Sequence, residues 1–133
     1  MFVDASAIVA ILTRESDADD LADLLGAAAR QPITSAIAIF EAVAGLCRKK
    51  HVSVEEASEE IRTFLEMANV HVVGITNREA DAALKAFDRY GKGRGHPAQL
   101  NMGDCFAYAC AKTYRAPLLF KGEDFVHTDI GIA

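Results

Sequence analysis

Short apolar runs alternate along the chain with longer segments in which apolar residues recur every three or four positions. The short runs predict β-strands at 1–3, 33–34, 71–73 and 116–120. The helical spacing predicts helices at 6–12, 17–29, 36–50, about 53–68, 76–90, and from Asn101 or Met102 onward. Residues 130–133 add a marginal further strand. This alternation of strands and helices favours a parallel sheet with helices on both faces.

The length and composition limit the architecture further. A chain of 133 residues fits one domain with a real hydrophobic core, so we predict a single domain over 1–133. Half of the residues are apolar, yet no run reaches the roughly 20 residues of a membrane span. The amino terminus shows no basic segment followed by a cleavage site. We therefore predict a soluble, cytoplasmic α/β protein with three layers, α/β/α, around a short central sheet.

The cysteines and histidines of this chain lack the spacing of metal-binding motifs. The three cysteines have no CxxC spacing and fall in helical patterns, which favours structural thiols over a disulfide framework or a zinc site. The four histidines are scattered without the short spacing of a histidine-ligated metal site. Chemistry in this protein is therefore expected to depend on other side chains.

Acidic residues lie at the ends of several predicted elements. Asp4 follows the first strand, Asp104 begins an apolar helix, and Asp124 follows the last strand. Glu41 lies among apolar neighbours on the helix at 36–50, where an ionised carboxylate must be paired, exposed at an edge or bound to a cation. Each acid also has a simpler interpretation. Asp4 and Asp104 could cap helices, Glu41 could occupy a narrow polar strip, and Asp124 could belong to a turn.

A parallel sheet would bring these acids to one edge. The carboxyl ends of parallel strands share one side, which is where open α/β sheets bind their ligands. Each close pair of carboxylates would repel by roughly 3–4 kcal/mol at an effective dielectric near 20. A positive group must then lie among them, and oxygen ligation without histidine or cysteine indicates Mg²⁺ or Mn²⁺. Such an ion can activate water for attack on a phosphodiester.

The charge distribution leaves room for a polyanionic partner. The net charge of −5 argues against nucleic acid, because phosphate affinity comes mostly from Lys and Arg. The segment 85–96 is nevertheless basic. The glycine-rich stretch 91–97 overlaps it and carries Lys92 and Arg94 directly before Asn101 and Asp104. It lacks the pattern of a P-loop. This loop is either a substrate-binding segment or an ordinary solvated loop.

Four segments together resemble the PIN-domain ribonucleases of the VapC type. They are 2–7 (FVDASA), 34–42 with Glu41, 100–105 (LNMGDC) and 120–125 (FKGEDF), in the order that this family shows. The resemblance implies a PIN-like fold and a ribonuclease toxin of a type II toxin–antitoxin system. It implies that Asp4, Glu41, Asp104 and Asp124 bind Mg²⁺ or Mn²⁺, with Ser6 and Asn101 as polar supports.

The same resemblance implies partners. It implies cleavage of a structured RNA, inhibition by a VapB-type antitoxin and formation of a homodimer. The family often has Asn or Asp where this chain has Glu123. A different class of function is also open: the acids could be caps and turns in a catalytically silent module that acts by docking to a partner. Divalent-metal binding and RNA cleavage distinguish the two.

Overall fold

Ten regular elements form the fold. A computed structural model describes residues 1–133. The elements in chain order are β1 (Phe2–Val3), α1 (Ala5–Leu12), α2 (Ala18–Gly26), β2 (Ile33–Ser35), α3 (Ala36–Lys50), α4 (Val54–Met67), β3 (His71–Val73), α5 (Asn77–Tyr90), α6 (Met102–Thr113) and β4 (Leu118–Leu119). None of the helices combines the length and apolar character that a bilayer crossing requires.

The strands form one parallel sheet in the order β3-β2-β1-β4. Phe2 is in register with Ile33 on one side and with Leu118 on the other. Because β1 and β4 are parallel, their carboxyl ends lie at the same edge of the sheet. The predicted central parallel sheet is therefore confirmed, and Asp4 directly follows its central strand.

Successive strand residues face opposite sides of the sheet and bury two separate cores. Phe2 and Leu118 join a core with residues of α5 and α6, whereas Val3 and Leu119 join a core with residues of α1, α3 and α4. These four side chains are at most 2% exposed. Helices thus cover both faces, which confirms the predicted three-layer α/β/α arrangement.

Side-chain caps fix where most helices begin. The side chains of Asp4, Ser35, Ser53 and Asn101 accept hydrogen bonds from backbone N–H groups at the starts of α1, α3, α4 and α6. Thr76 caps α5 in the same way. Such bonds satisfy N–H groups that have no partner within the helix. The capping role that the sequence left open for Asp4 is thus present, and Asn101 caps α6.

Several predicted boundaries were wrong by a few residues. Helix α2 ends at Gly26 instead of residue 29, because the alanines after the buried Leu25 offer little apolar surface to bury. Strand β4 has two residues instead of five, since its partner β1 is itself two residues long. The predicted terminal strand at 130–133 is a single parallel bridge between Leu118 and Ile132.

Candidate active site

A polar cavity of about 350 Å³ opens at the carboxyl edge of the sheet. It is lined by Asp4, Glu41, Asp104 and Asp124. These acids come from the end of β1, from α3, from the first turn of α6 and from the segment after β4. Ser6 and Asn101 line the same cavity. Side chains that are far apart in sequence therefore share one pocket.

Asp4 is held at the end of β1 by its own backbone and by Ser6. The Asp4 N–H donates to the Leu119 carbonyl at 3.0 Å. The Ser6 N–H and hydroxyl both donate to Asp4 Oδ2, at 3.1 and 2.5 Å. Burial raises the pKa of Asp4, and repulsion from Asp124 adds to this while the Ser6 bonds oppose it. Asp4 is thus both a helix cap and a carboxylate of the pocket.

Asp104 has the same double role at the start of α6. Asn101 Oδ1 accepts the Asp104 N–H at 2.8 Å, and Asp104 Oδ2 accepts the Asn101 N–H at 3.1 Å. This reciprocal capping box fixes the carboxyl group. Burial raises the pKa of Asp104 to about 7 against the effect of the Asn101 bond, and repulsion from Asp124, Asp4 and Glu41 adds to the rise.

Glu41 reaches the pocket from the middle of α3 without a hydrogen bond from the protein. Its carboxyl group lies against the backbone of Gly103, so closely that a methyl group at Gly103 would overlap it. Burial raises the pKa of Glu41 to about 7, and repulsion from Asp4 contributes. A glycine in the first turn of α6 is therefore what lets α3 present a carboxylate beside Asp104.

Asp124 completes the acidic lining from a turn after β4. Its side chain is exposed, unlike those of Asp4 and Asp104. The turn is fixed to the pocket through Lys121, whose backbone N–H donates to the Ser6 hydroxyl oxygen at 3.0 Å. Since the same hydroxyl donates to Asp4, Ser6 joins the ends of β1 and β4 at the pocket.

The donor set of the pocket fits a hard divalent cation. No histidine or cysteine lines it, and Mg²⁺ and Mn²⁺ prefer oxygen ligands. No three His, Cys, Asp or Glu side chains converge tightly enough to enclose a metal ion by themselves. An open arrangement suits Mg²⁺, which keeps several of its waters and binds through one or two carboxylates. The pocket therefore fits a partly hydrated ion better than a closed protein cage.

Three cations that the sequence did not single out also line the pocket. They are Arg48, Lys49 and Lys121. In the sequence, residues 48–51 are charges suited to the carboxyl end of a helix, with no sign of a further role. The helical period held the missing signal: Gly45 and Lys49 follow Glu41 at intervals of four, so all three lie on one face of α3.

The predicted substrate-binding residues lie outside the acidic pocket. Lys92 lines an adjoining apolar cleft that shares Asn101 with the pocket. Arg94 donates to Asp88 at 3.0 Å and lies over the ring of Phe87. The structure thus places this loop beside the pocket and not within it.

The two remaining acids of the carboxyl-terminal segment do not line the pocket either. Glu123 is exposed. Asp129 is a loop residue, and it accepts a hydrogen bond from the Tyr108 hydroxyl at 2.5 Å. Asp129 therefore anchors the carboxyl-terminal segment to α6.

Comparisons with known proteins agree with this arrangement. The PIN domain family model matches residues 1–131. A Ribonuclease VapC of Mycolicibacterium smegmatis is 45% identical over 131 residues, covering 98% of this chain and 97% of the relative. The crystal structure of Mycobacterium tuberculosis VapC20, described as a sarcin–ricin loop cleaving toxin, superposes with a TM-score of 0.76 at 16% identity, covering 99% and 97% of the two chains. A toxin–antitoxin complex from Klebsiella pneumoniae gives 0.72 at 18% identity, covering 99% and 95%.

The fold and the acidic pocket define a PIN-domain protein, a class of divalent-metal-dependent nucleases. The chain belongs to the PIN-domain family, and within it to the VapC-type ribonucleases. Its activity is accordingly that of a ribonuclease.

Proposed function

We propose that Asp4, Glu41, Asp104 and Asp124 hold a Mg²⁺ or Mn²⁺ ion with which this chain hydrolyses phosphodiester bonds in RNA. One observation carries the proposal. These acids line a single pocket, and the pKa values of Asp4, Glu41 and Asp104 are raised by burial and by repulsion within the group. A divalent cation offsets that repulsion. When bound, it activates water and stabilises the leaving oxygen.

The residues of the chain position the carboxylates for this task. Ser6 orients Asp4 through two hydrogen bonds to the same oxygen. Asn101 orients Asp104 and occupies only Oδ2, so Oδ1 receives no protein hydrogen bond. Glu41 receives none at all and is held chiefly by its position against Gly103. We infer that Ser6 and Asn101 are positioning residues, whereas the carboxylates bind the ion.

The test replaces one carboxylate without changing its shape. Asp104→Asn keeps the size of the side chain and removes the charge, so we expect RNA cleavage in Mg²⁺ or Mn²⁺ to fall at least about 100-fold. Glu123→Gln is the matched control, because it removes an exposed acid in the segment that carries Asp124 without touching the pocket. Cleavage of total RNA by the purified protein is measured with each metal and with a chelator, beside a thermal melt.

Two outcomes contradict the proposal. Cleavage that survives chelation argues against a metal-dependent site. Cleavage by Asp104→Asn equal to that of Glu123→Gln, with both variants folded, argues against Asp104 as a ligand. Loss of metal-dependent cleavage in Asp104→Asn alone supports the assignment.

We further infer that the substrate is a structured RNA such as transfer RNA. The relative described as a sarcin–ricin loop cleaving toxin supports a structured target. Lys92 and Arg94 lie on the loop beside the pocket and are proposed to contact the RNA backbone away from the cleaved bond. Their removal should weaken RNA binding similarly for all sequences.

We also propose a VapB-type antitoxin as the partner, a homodimer and a cytoplasmic location. The toxin–antitoxin complex among the structural neighbours supports the antitoxin. Phe40 and Val54 are 76% and 66% exposed and line one apolar groove with Ile39 and Val43, and a contiguous exposed apolar patch is typical of surfaces that bind other proteins. Sedimentation of the protein alone and with the antitoxin encoded beside it tests both assemblies.

A further inference from the structure

An ionic cluster borders the acidic pocket and is not needed to hold a metal. Glu15, in the connection between α1 and α2, forms ion pairs with both Lys49 and Lys121. Lys49 belongs to the last turn of α3, and Lys121 follows β4. All three side chains line the pocket. One carboxylate therefore holds two ammonium groups from distant elements at the same rim.

Lys121 is the more firmly held of the two lysines. Its Nζ lies 2.9 Å from Glu15 Oε2 and 3.0 Å from Asp17 Oδ1. An ammonium group has three donors, so two carboxylates leave one for another acceptor. The backbone N–H of Lys121 donates to Ser6, which in turn donates to Asp4. The side chain and the main chain of Lys121 are thus both tied to the pocket.

We propose that Lys121 and Lys49 form a phosphate-binding pair at the rim of the pocket, and that Glu15 is the residue that positions both. Binding at this pair presupposes the ribonuclease site proposed above. The ligand is a phosphate of the RNA backbone next to the cleaved bond. Each lysine is partly exposed, at 34% for Lys121 and 43% for Lys49, so a phosphate can reach either ammonium group.

The charge of the protein explains why such a pair is needed. The chain carries a net charge of −5, and the pocket itself gathers carboxylates that repel RNA. Lysines at the rim attract the RNA backbone locally, where it enters the pocket. A free lysine side chain loses rotamer entropy when a ligand immobilises it. Carboxylates that already hold the ammonium groups reduce this loss on binding.

The chain offers a closely matched control in Lys50. Lys50 is the next residue after Lys49 in α3 and forms an ion pair with Glu60 at 2.6 Å, with both side chains 34% exposed. Neither residue of that pair lines the pocket. Lys50→Gln and Lys121→Gln therefore change the net charge equally and both break exposed ion pairs, one in the first variant and two in the second. Only the second removes an ammonium group from the rim.

The decisive experiment measures how RNA affinity depends on salt. Binding of a fluorescent single-stranded RNA oligonucleotide is followed in Mg²⁺ over a NaCl series, in the Asp104→Asn background so that the RNA stays intact. Each lost contact between a lysine and a phosphate lowers the slope of log affinity against log salt by about 0.7. We expect this decrease for Lys121→Gln and for Lys49→Gln. Lys50→Gln should retain the parent slope.

The outcomes separate this inference from the ribonuclease site. Equal slopes for Lys121→Gln and Lys50→Gln, with both proteins folded, overturn the phosphate pair and leave the metal site untouched. Failure of the otherwise unmodified protein to cleave RNA with any divalent ion overturns the site itself. If Lys121→Gln does not fold, Lys121→Arg and Lys49→Gln decide. Lys121→Arg should retain the slope, since it keeps the charge, and Lys49→Gln should lower it.

The positioning role of Glu15 has its own test in cleavage kinetics. Glu15→Gln makes the protein less negative by one charge, so long-range attraction alone predicts a lower KM for RNA. Loss of positioning predicts the opposite, namely a higher KM, with a fold-increase in KM that is larger than any fold-decrease in kcat. Glu60→Gln makes the same change of charge away from the pocket. A KM that falls in Glu15→Gln as it does in Glu60→Gln overturns the positioning role.

Discussion

Replacing Gly103 by alanine should remove Glu41 from the pocket while leaving the protein folded. The three atoms nearest to an added Cβ at Gly103 all belong to the Glu41 carboxyl group. That group is the end of a flexible side chain and receives no hydrogen bond from the protein, so it can rotate away. Asp104, the next residue, keeps its capping box with Asn101. The perturbation therefore falls on one proposed ligand.

The expected change in stability is small because two terms oppose each other. Alanine is more favourable than glycine by up to about 1 kcal/mol within a helix. Moving the Glu41 side chain to a poorer rotamer costs about 0.5–1.5 kcal/mol. The net change in the free energy of unfolding should then lie within about 1 kcal/mol, which shifts Tm by no more than about 4 °C in a domain of this size.

The expected change in activity is much larger. Disturbing groups that hold or orient a bound metal typically lowers metal affinity or activity about 10–100-fold, so metal-dependent RNA cleavage should fall at least about 10-fold. Cleavage is measured over a Mg²⁺ series beside a thermal melt. Gly26→Ala is the control, because an added Cβ there has no neighbour within 4 Å and Gly26 lies away from the pocket. Full activity of folded Gly103→Ala at low Mg²⁺ would refute this role of Glu41.

Two further predictions follow from burial. Without metal, the raised pKa values of Glu41 and Asp104, both about 7, mean that these groups bind protons more tightly in the folded than in the unfolded protein. The free energy of unfolding should therefore fall as pH rises from about 4 to about 7. A bound Mg²⁺ offsets the charges that form, so Mg²⁺ should raise Tm more at pH 8 than at pH 5. An equal rise in Tm at both pH values would contradict this prediction. Leu46→Ala, at a fully buried position, should cost about 2–5 kcal/mol in chemical denaturation. Leu84→Ala, at a position 65% exposed, should cost far less, and equal losses would contradict the assigned core.

The fold could be predicted from the sequence because local signals agreed with one another. Apolar runs and helical periods indicated the elements to within a few residues, and the caps Ser35, Thr76 and Asn101 precede helices at those positions. The length of β4 could not be predicted in this way. Residues 116–120 read as a five-residue strand, yet pairing requires a neighbour, and β1 offers only Phe2 and Val3.

For the pocket, element ends indicated the acids, whereas the only local signal for a cation was the helical spacing of Lys49 from Glu41. Asp4 and Asp104 lie at element ends, which the sequence marks. The role of Glu15 depends on where the connection after α1 passes in space, close to the last turn of α3 and to Lys121. No periodicity within 13–17 encodes that approach. Which carboxylate meets which lysine is decided by tertiary packing.

The central position of β1 has a consequence for synthesis of this protein on the ribosome. Phe2 and Val3 emerge more than a hundred residues before Leu118 and Leu119, the residues with which they pair. Ser6 likewise cannot accept its hydrogen bond from the Lys121 backbone N–H until Lys121 has been translated. A nascent chain can form α3, α4 and α5 early, but the edge of the sheet that carries the pocket closes only after β4 has been translated. A growing chain therefore lacks an assembled nuclease centre until nearly all of residues 1–133 have left the exit tunnel.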